Sequence, residues 1–95
     1  MEITDIRVRK VNSEGKLKAV VSVTFDGAFV IHDIKLIENE GRMFISMPNK
    51  RVRSGEYKDI AHPVNAQMRE VLERSVISAY EDYLKTSAEP EESEE

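Results

Sequence analysis

From Met47 to Asn65 the chain reads MPNKRVRSGEYKDIAHPVN, and the window from 42 to 58 holds five cations (Arg42, Lys50, Arg51, Arg53, Lys58) against one acid, Glu56. Interrupted by Pro48, Asn49, Ser54 and Gly55, this composition reads as a basic, turn-bearing loop. The chemistry open to it is recognition of phosphate. Arginine bonds two phosphate oxygens through its planar fork, and lysine adds a point charge. Lys50, Arg51, Arg53 and Lys58 are the candidate contacts. A second basic group (Arg7, Arg9, Lys10, Lys16, Lys18) surrounds Glu14, and Arg9 and Lys10 near the end of a first strand would extend the surface. Tyr57 is the one aromatic within the loop, enough to stack on a base but not to build a stacking platform. The plain structural alternative is a solvated loop with no ligand.

Two histidine–aspartate pairs raise acid–base chemistry, in which a histidine acts as base and an aspartate orients it. His32 and Asp33 are neighbours in a strand-like run, so their side chains are expected on opposite faces. His32 shares the parity of Val30 and Ile34, which predicts a core-facing or interface histidine bonded to a backbone carbonyl. Asp59 and His62 read as architecture: the carboxylate accepts backbone N–H bonds and the imidazole bridges the loop to the start of a helix at Pro63 and Asn65. Two histidines and no cysteine make a weak case for a metal, and none is expected. The four glycines sit singly in turns, and no serine lies in a nucleophile elbow. The expectation is a protein without enzyme activity, cofactor, metal or small-molecule substrate.

The net charge of −4 conceals where the acids are. Five of the 18 acids (Glu89, Glu91, Glu92, Glu94, Glu95) lie in the last ten residues, which have no lysine or arginine; without them thirteen acids face 14 bases. The expected organisation is one domain over residues 1–85 and a disordered acidic tail over 86–95, able to fold back on the basic loop. No run approaches the roughly 20 apolar residues of a membrane span. The N-terminus MEITDIRVRK lacks an apolar leader region. With no cysteine in the chain, the expected location is the cytoplasm, away from membranes.

The elements that must position these groups follow from periodicity. Residues 2–11 read as a strand whose alternation breaks, with Ile6 and Val8 on one parity and Ile3 and Val11 on the other, which predicts a bulge or some burial on both faces. Leu17, Ala19, Val21, Val23 and Phe25 alternate in a second strand, and Asp26-Gly27 is a hairpin signal. A third strand follows from Ala28, then a looser turn ENEGR, then a short strand MFISM ended by Pro48. EYKDI is a candidate fifth strand. Beyond Pro63, apolar residues from Val64 to Leu84 recur at spacings of three and four, the signature of an amphipathic helix of about five turns. Asn65 is its predicted N-cap, and Glu70 and Arg74 an i,i+4 pair. The predicted fold class is α+β: an antiparallel β-meander of four to five strands followed by one C-terminal amphipathic helix. The third strand reads as apolar on both parities, with Val30, Ile34 and Leu36 on one and Phe29, Ile31 and Ile37 on the other. One helix covers one face, so Phe29, Ile31 and Ile37 become candidates for the interface of a homodimer formed through the sheet.

IHDIK (Ile31–Lys35), MPNKR (Met47–Arg51) and DIAHPVN (Asp59–Asn65) together resemble the SpoVG family of bacterial septation and sporulation regulators, and the likeness runs from Met1 to about Tyr83. The resemblance implies a small α+β fold that dimerises, and a cytosolic regulator without enzyme activity that binds DNA and, in some members, RNA. It maps the family's basic stretch onto Lys50, Arg51 and Arg53 here. Where relatives commonly carry a proline-bearing turn, this chain has Val52-Arg53-Ser54. A different class of function consistent with the same charges is a protein-interaction module of the division machinery, its basic loop docking an acidic partner.

Overall fold

Strand β2 (Leu17–Phe25) sets the layering. Ala19, Val21, Val23 and Phe25 are all buried and face one way, and among the described residues the helix α1 (Ala66–Thr86) is their cover. The helix answers with Leu72, Val76 and Tyr80, spaced one turn apart and buried. Ile34, Leu36, Ile45 and Met47 complete the core. Full burial of a side chain such as Leu72 or Val76 stabilises the fold by about 1.5–3 kcal/mol. The computed structural model describes residues 1–12 and 14–86. β1 (Ile3–Val11), β2, β3 (Phe29–Asn39) and β4 (Arg42–Ser46) form one antiparallel sheet in sequence order. The meander and single C-terminal helix expected from the periodicity are thus present. The helix begins where Asn65 caps it, its Oδ1 accepting the Met68 N–H at 2.7 Å, and Arg74 pairs with Glu70 at 3.3 Å. Helix α1 includes Thr86, the first residue assigned above to the tail; the rest of the tail lies outside the described residues.

Bulges decide which side chains meet the helix. In β1 the register slips between Ile3 and Asp5 and again between Val8 and Lys10. These two slips bring Ile3, Ile6, Val8 and Val11, which no single period unites, onto the core. In β3 the strand opposite Val21–Val23 carries an extra residue: Val21 pairs with Ile34 and Val23 with Ile31, and Asp33 has φ +64°. A third slip, between Leu17 and Ala19, pairs Leu17 with Ile37 and takes it off the face occupied by Ala19.

The β3 bulge re-sorts the apolar residues of that strand: Phe29, Ile31, Ile34 and Leu36 fall on the helix side, and Val30 and Ile37 on the other. Ile31 packs against the same core as Ile34 and Leu36, and Phe29, opposite Phe25, lies on that side too. Ile37 lies on the other side, opposite Leu17 and Phe44. Phe29, Ile31 and Ile37 therefore do not share a face. Of the three, Phe29 is the exposed one, at 62%.

The hairpins are tight. Asp26 and Gly27 both have positive φ, and the Ala28 N–H bonds the Phe25 carbonyl at 2.9 Å, so the turn twists with its strands. The turn after β3 is tighter than ENEGR suggested: Asn39 pairs with Arg42, leaving only Glu40 and Gly41 between them. The free edge of β4 is occupied by the helix. Glu73 Oε2 accepts the Ile45 N–H at 3.0 Å, and Arg69 Nη2 donates to the Ile45 carbonyl at 2.9 Å. Two oppositely charged side chains thus satisfy both polar groups of an edge residue that would otherwise template strand addition. Among the described residues no helix is long and apolar enough to cross a membrane.

Candidate nucleic-acid interface

The basic segment is a β-ribbon rather than a loop. Pro48 ends β4, and β5 (Asn49–Arg51) pairs antiparallel with β6 (Tyr57–Asp59) in a sheet of its own. The strand expected at EYKDI is β6, but its partner is the stretch read above as irregular. At the base, the Ile60 N–H bonds the Pro48 carbonyl at 2.7 Å. At the tip, the Gly55 N–H bonds the Val52 carbonyl at 2.9 Å and the Val52 N–H bonds the Glu56 carbonyl at 2.8 Å. Gly55 has φ +94°, so this is a turn closed by a glycine bulge, with Arg53 and Ser54 at its apex. The VRS departure from the proline-bearing pattern therefore builds an ordinary hairpin end.

Pairing fixes how the cations are displayed. Lys50 stands opposite Lys58, Arg51 opposite Tyr57, and Asn49 opposite Asp59. Alternation along a strand puts the two lysines on one face and Arg51 with Tyr57 on the other. All four of these residues, and Arg53, are exposed. Among the described residues, none of Lys50, Arg51, Arg53 and Lys58 forms an ion pair. Like charges set directly across a ribbon are disfavoured, by a few tenths of a kcal/mol at a solvated site. An anion lying along the ribbon would turn that repulsion into attraction.

The segment joining ribbon to helix does the structural work expected of it, with one exception. His62 Nδ1 donates to the Pro63 carbonyl at 2.8 Å, which holds the turn into the helix that Asn65 caps. The imidazole is engaged there and not with Asp59. Asp59 lies at the ribbon base opposite Asn49, and among the described residues its carboxylate accepts none of the backbone bonds expected of it.

Arg9 and Lys10 lie elsewhere, on the sheet face away from the helix. Arg9 Nε donates to Ser22 Oγ at 3.3 Å, and Lys10 pairs with Val20. His32 is also on this face and is exposed, with Nδ1 2.9 Å from Ser22 Oγ. This corrects the expectation of a core histidine bonded to a carbonyl, and the reason is the bulge, which breaks the parity shared with Ile34. It also brings Asp33 to the same depression as His32 instead of the opposite face. Sequence reasoning missed Lys35 and Ser22 here; the polar parity of Ser22 and Thr24 on β2 was the available signal.

A small α+β protein carrying a separate basic ribbon, its cations without ion pairs among the described residues, is what fold and site define, and comparison with known proteins places it. Residues 1–82 match the family model described as SpoVG, so the chain belongs to the SpoVG family. It is 53% identical over 91 residues to a protein of Acetivibrio thermocellus, covering 96% of this chain and 97% of that one. It is 56% identical over 84 residues to one of Clostridioides difficile (88% and 91%) and 58% over 81 residues to one of Thermoanaerobacter sp. (85% and 88%). All three carry the name "Putative septation protein SpoVG". The family is a septation-related one, as the motifs implied.

Proposed function

We propose that this protein is a homodimeric regulator that binds DNA, and RNA as a second polymer, through the β5–β6 ribbon, and that it acts on gene expression and septum formation in the cytoplasm. Lys50, Arg51, Arg53 and Lys58 contact phosphates, with Arg9 and Lys10 as secondary contacts. The observation that carries the reading is the cross-strand Lys50–Lys58 pair, a repulsive arrangement with no neighbouring acid bonded to it. Tyr57, 67% exposed beside Arg51, offers one base-stacking surface. The septation role rests on family membership alone.

Dimerisation doubles the number of ribbons. Its support is apolar surface outside the helix-covered core: Phe29, Ile60 (65% exposed) and Val64 (86%). The test of the binding claim is a triple variant, Lys50→Ala/Arg51→Ala/Arg53→Ala, compared with the parent in salt titrations against duplex DNA, single-stranded DNA and RNA. Weak, non-specific binding by the parent would favour instead a ribbon that docks an acidic protein.

A further inference from the structure

Three observations converge on one point of the open sheet face. Ser22 is only 4% exposed although it faces away from the helix-covered core. The β3 bulge at His32–Asp33 lies directly opposite this residue of the central strand, and a β1 bulge at Arg9 falls just beyond it, opposite Val20–Val21. Arg9 and His32 both bond its hydroxyl, at 3.3 and 2.9 Å. Bulges re-aim side chains, and the β3 bulge, with Asp33 at φ +64°, turns His32 and Asp33 to the open face. A solvated strand face needs none of this.

The hydrogen bonds define a polarity. Arg9 Nε can only donate, so Ser22 Oγ accepts from it. The buried Ser22 proton needs an acceptor, and His32 Nδ1 is the one in reach. The ring proton then sits on Nε2, which is left as a donor at the rim. Lys10 and Lys35, both exposed, border the same depression, and Asp33 is the one acid lining it among the described residues. Its volume of about 860 Å³ has room for a nucleotide-sized group.

We infer that this depression is a phosphate-binding site, with Lys10, Lys35 and Arg9 supplying charge, His32 Nε2 a directed hydrogen bond, and Ser22 the anchor that orients Arg9 and His32. It deepens the nucleic-acid reading, in which Arg9 and Lys10 are secondary contacts, but it is a site separate from the ribbon. The phosphate can come from a nucleic-acid backbone or from a free nucleotide.

The test is amide-shift mapping by NMR on the full chain. The probes are inorganic phosphate, a 5′-mononucleotide and a single-stranded hexanucleotide, with sodium chloride at matched ionic strength as control. Shifts at Arg9, Lys10, Ser22, His32 and Lys35 that saturate with a phosphate-bearing probe and not with chloride are expected. Lys10→Ala/Lys35→Ala, which changes only exposed side chains, weakens that binding by about tenfold or more. His32→Gln keeps a polar group but alters the geometry, and weakens it as well. Equal affinity for mononucleotide and hexanucleotide assigns a free nucleotide; a clear preference for the hexanucleotide assigns a backbone. Loss of hexanucleotide shifts at Lys50–Lys58 with these pocket shifts intact would sink the ribbon and leave the pocket standing. No saturable shift at these residues with any phosphate probe, or shifts matched by chloride, overturns the inference.

Discussion

Lys50 and Lys58 face each other directly across the β5–β6 ribbon, two ammonium groups on one face. A ribbon selected only for stability would place opposite charges there. Lys58→Glu supplies that missing ion pair. It should leave the melting temperature unchanged or slightly raised while weakening nucleic-acid binding by about tenfold or more, since it removes one phosphate contact and repels another. Thermal denaturation and fluorescence anisotropy on the same sample separate the two effects; a variant that binds like the parent would show the pair to be ornamental.

Gly55 closes the ribbon tip at φ +94°, a backbone conformation that side chains resist. Space is not the obstacle, because an added Cβ would meet nothing nearer than Arg51 Nη2 at 3.8 Å. Gly55→Ala should therefore cost about 1 kcal/mol or more of local ribbon stability through backbone strain alone. The ribbon is a sheet of its own, so the cost should appear as faster amide exchange at Val52 and Gly55, with little change in global melting.

Glu73 and Arg69 satisfy the N–H and C=O of Ile45 on the β4 edge. Glu73→Ala leaves the N–H unbonded in a half-buried setting. The expected cost is about 1 kcal/mol, a fall in melting temperature of roughly 4–8 °C for a domain of this size. Calorimetry checks it, and an unchanged melting temperature would mean that water replaces the carboxylate without penalty.

Much of this architecture was legible in the residues themselves. The alternation from Ala19 to Phe25, the Asp26-Gly27 turn and the Asn65 cap each rest on local chemistry, and each took the form expected. The broken alternation around Ile6 and Val8 announced the β1 bulges. The β3 bulge gave no such sign, because inserting one residue between two apolar runs looks the same as a strand that is apolar on both faces. That ambiguity misplaced His32 and scattered Phe29, Ile31 and Ile37. The ribbon was hidden for another reason: three-residue strands of charged side chains have no hydrophobic period to read. The Arg9–Ser22–His32 cluster joins three strands and is a property of register, which local spacing does not encode.

Phe29, at 62% exposure, is the largest apolar side chain left open on β3. If it belongs to a dimer contact, Phe29→Glu shifts the molecular mass seen by analytical ultracentrifugation from dimer toward monomer without loss of helical signal. A parent that sediments as a monomer would remove dimerisation from the account.

The slope of log binding constant against log salt tests the central claim most directly. Four cations in each of two subunits give Z of about 8 and a slope of about −7 on duplex DNA. The Lys50→Ala/Arg51→Ala/Arg53→Ala variant, with three of those four gone from each subunit, should remain folded, lose most of its affinity and have a slope shallower by about 5. A parent slope near zero, or a variant slope equal to the parent's, would contradict the assignment of the ribbon as the phosphate-contacting surface.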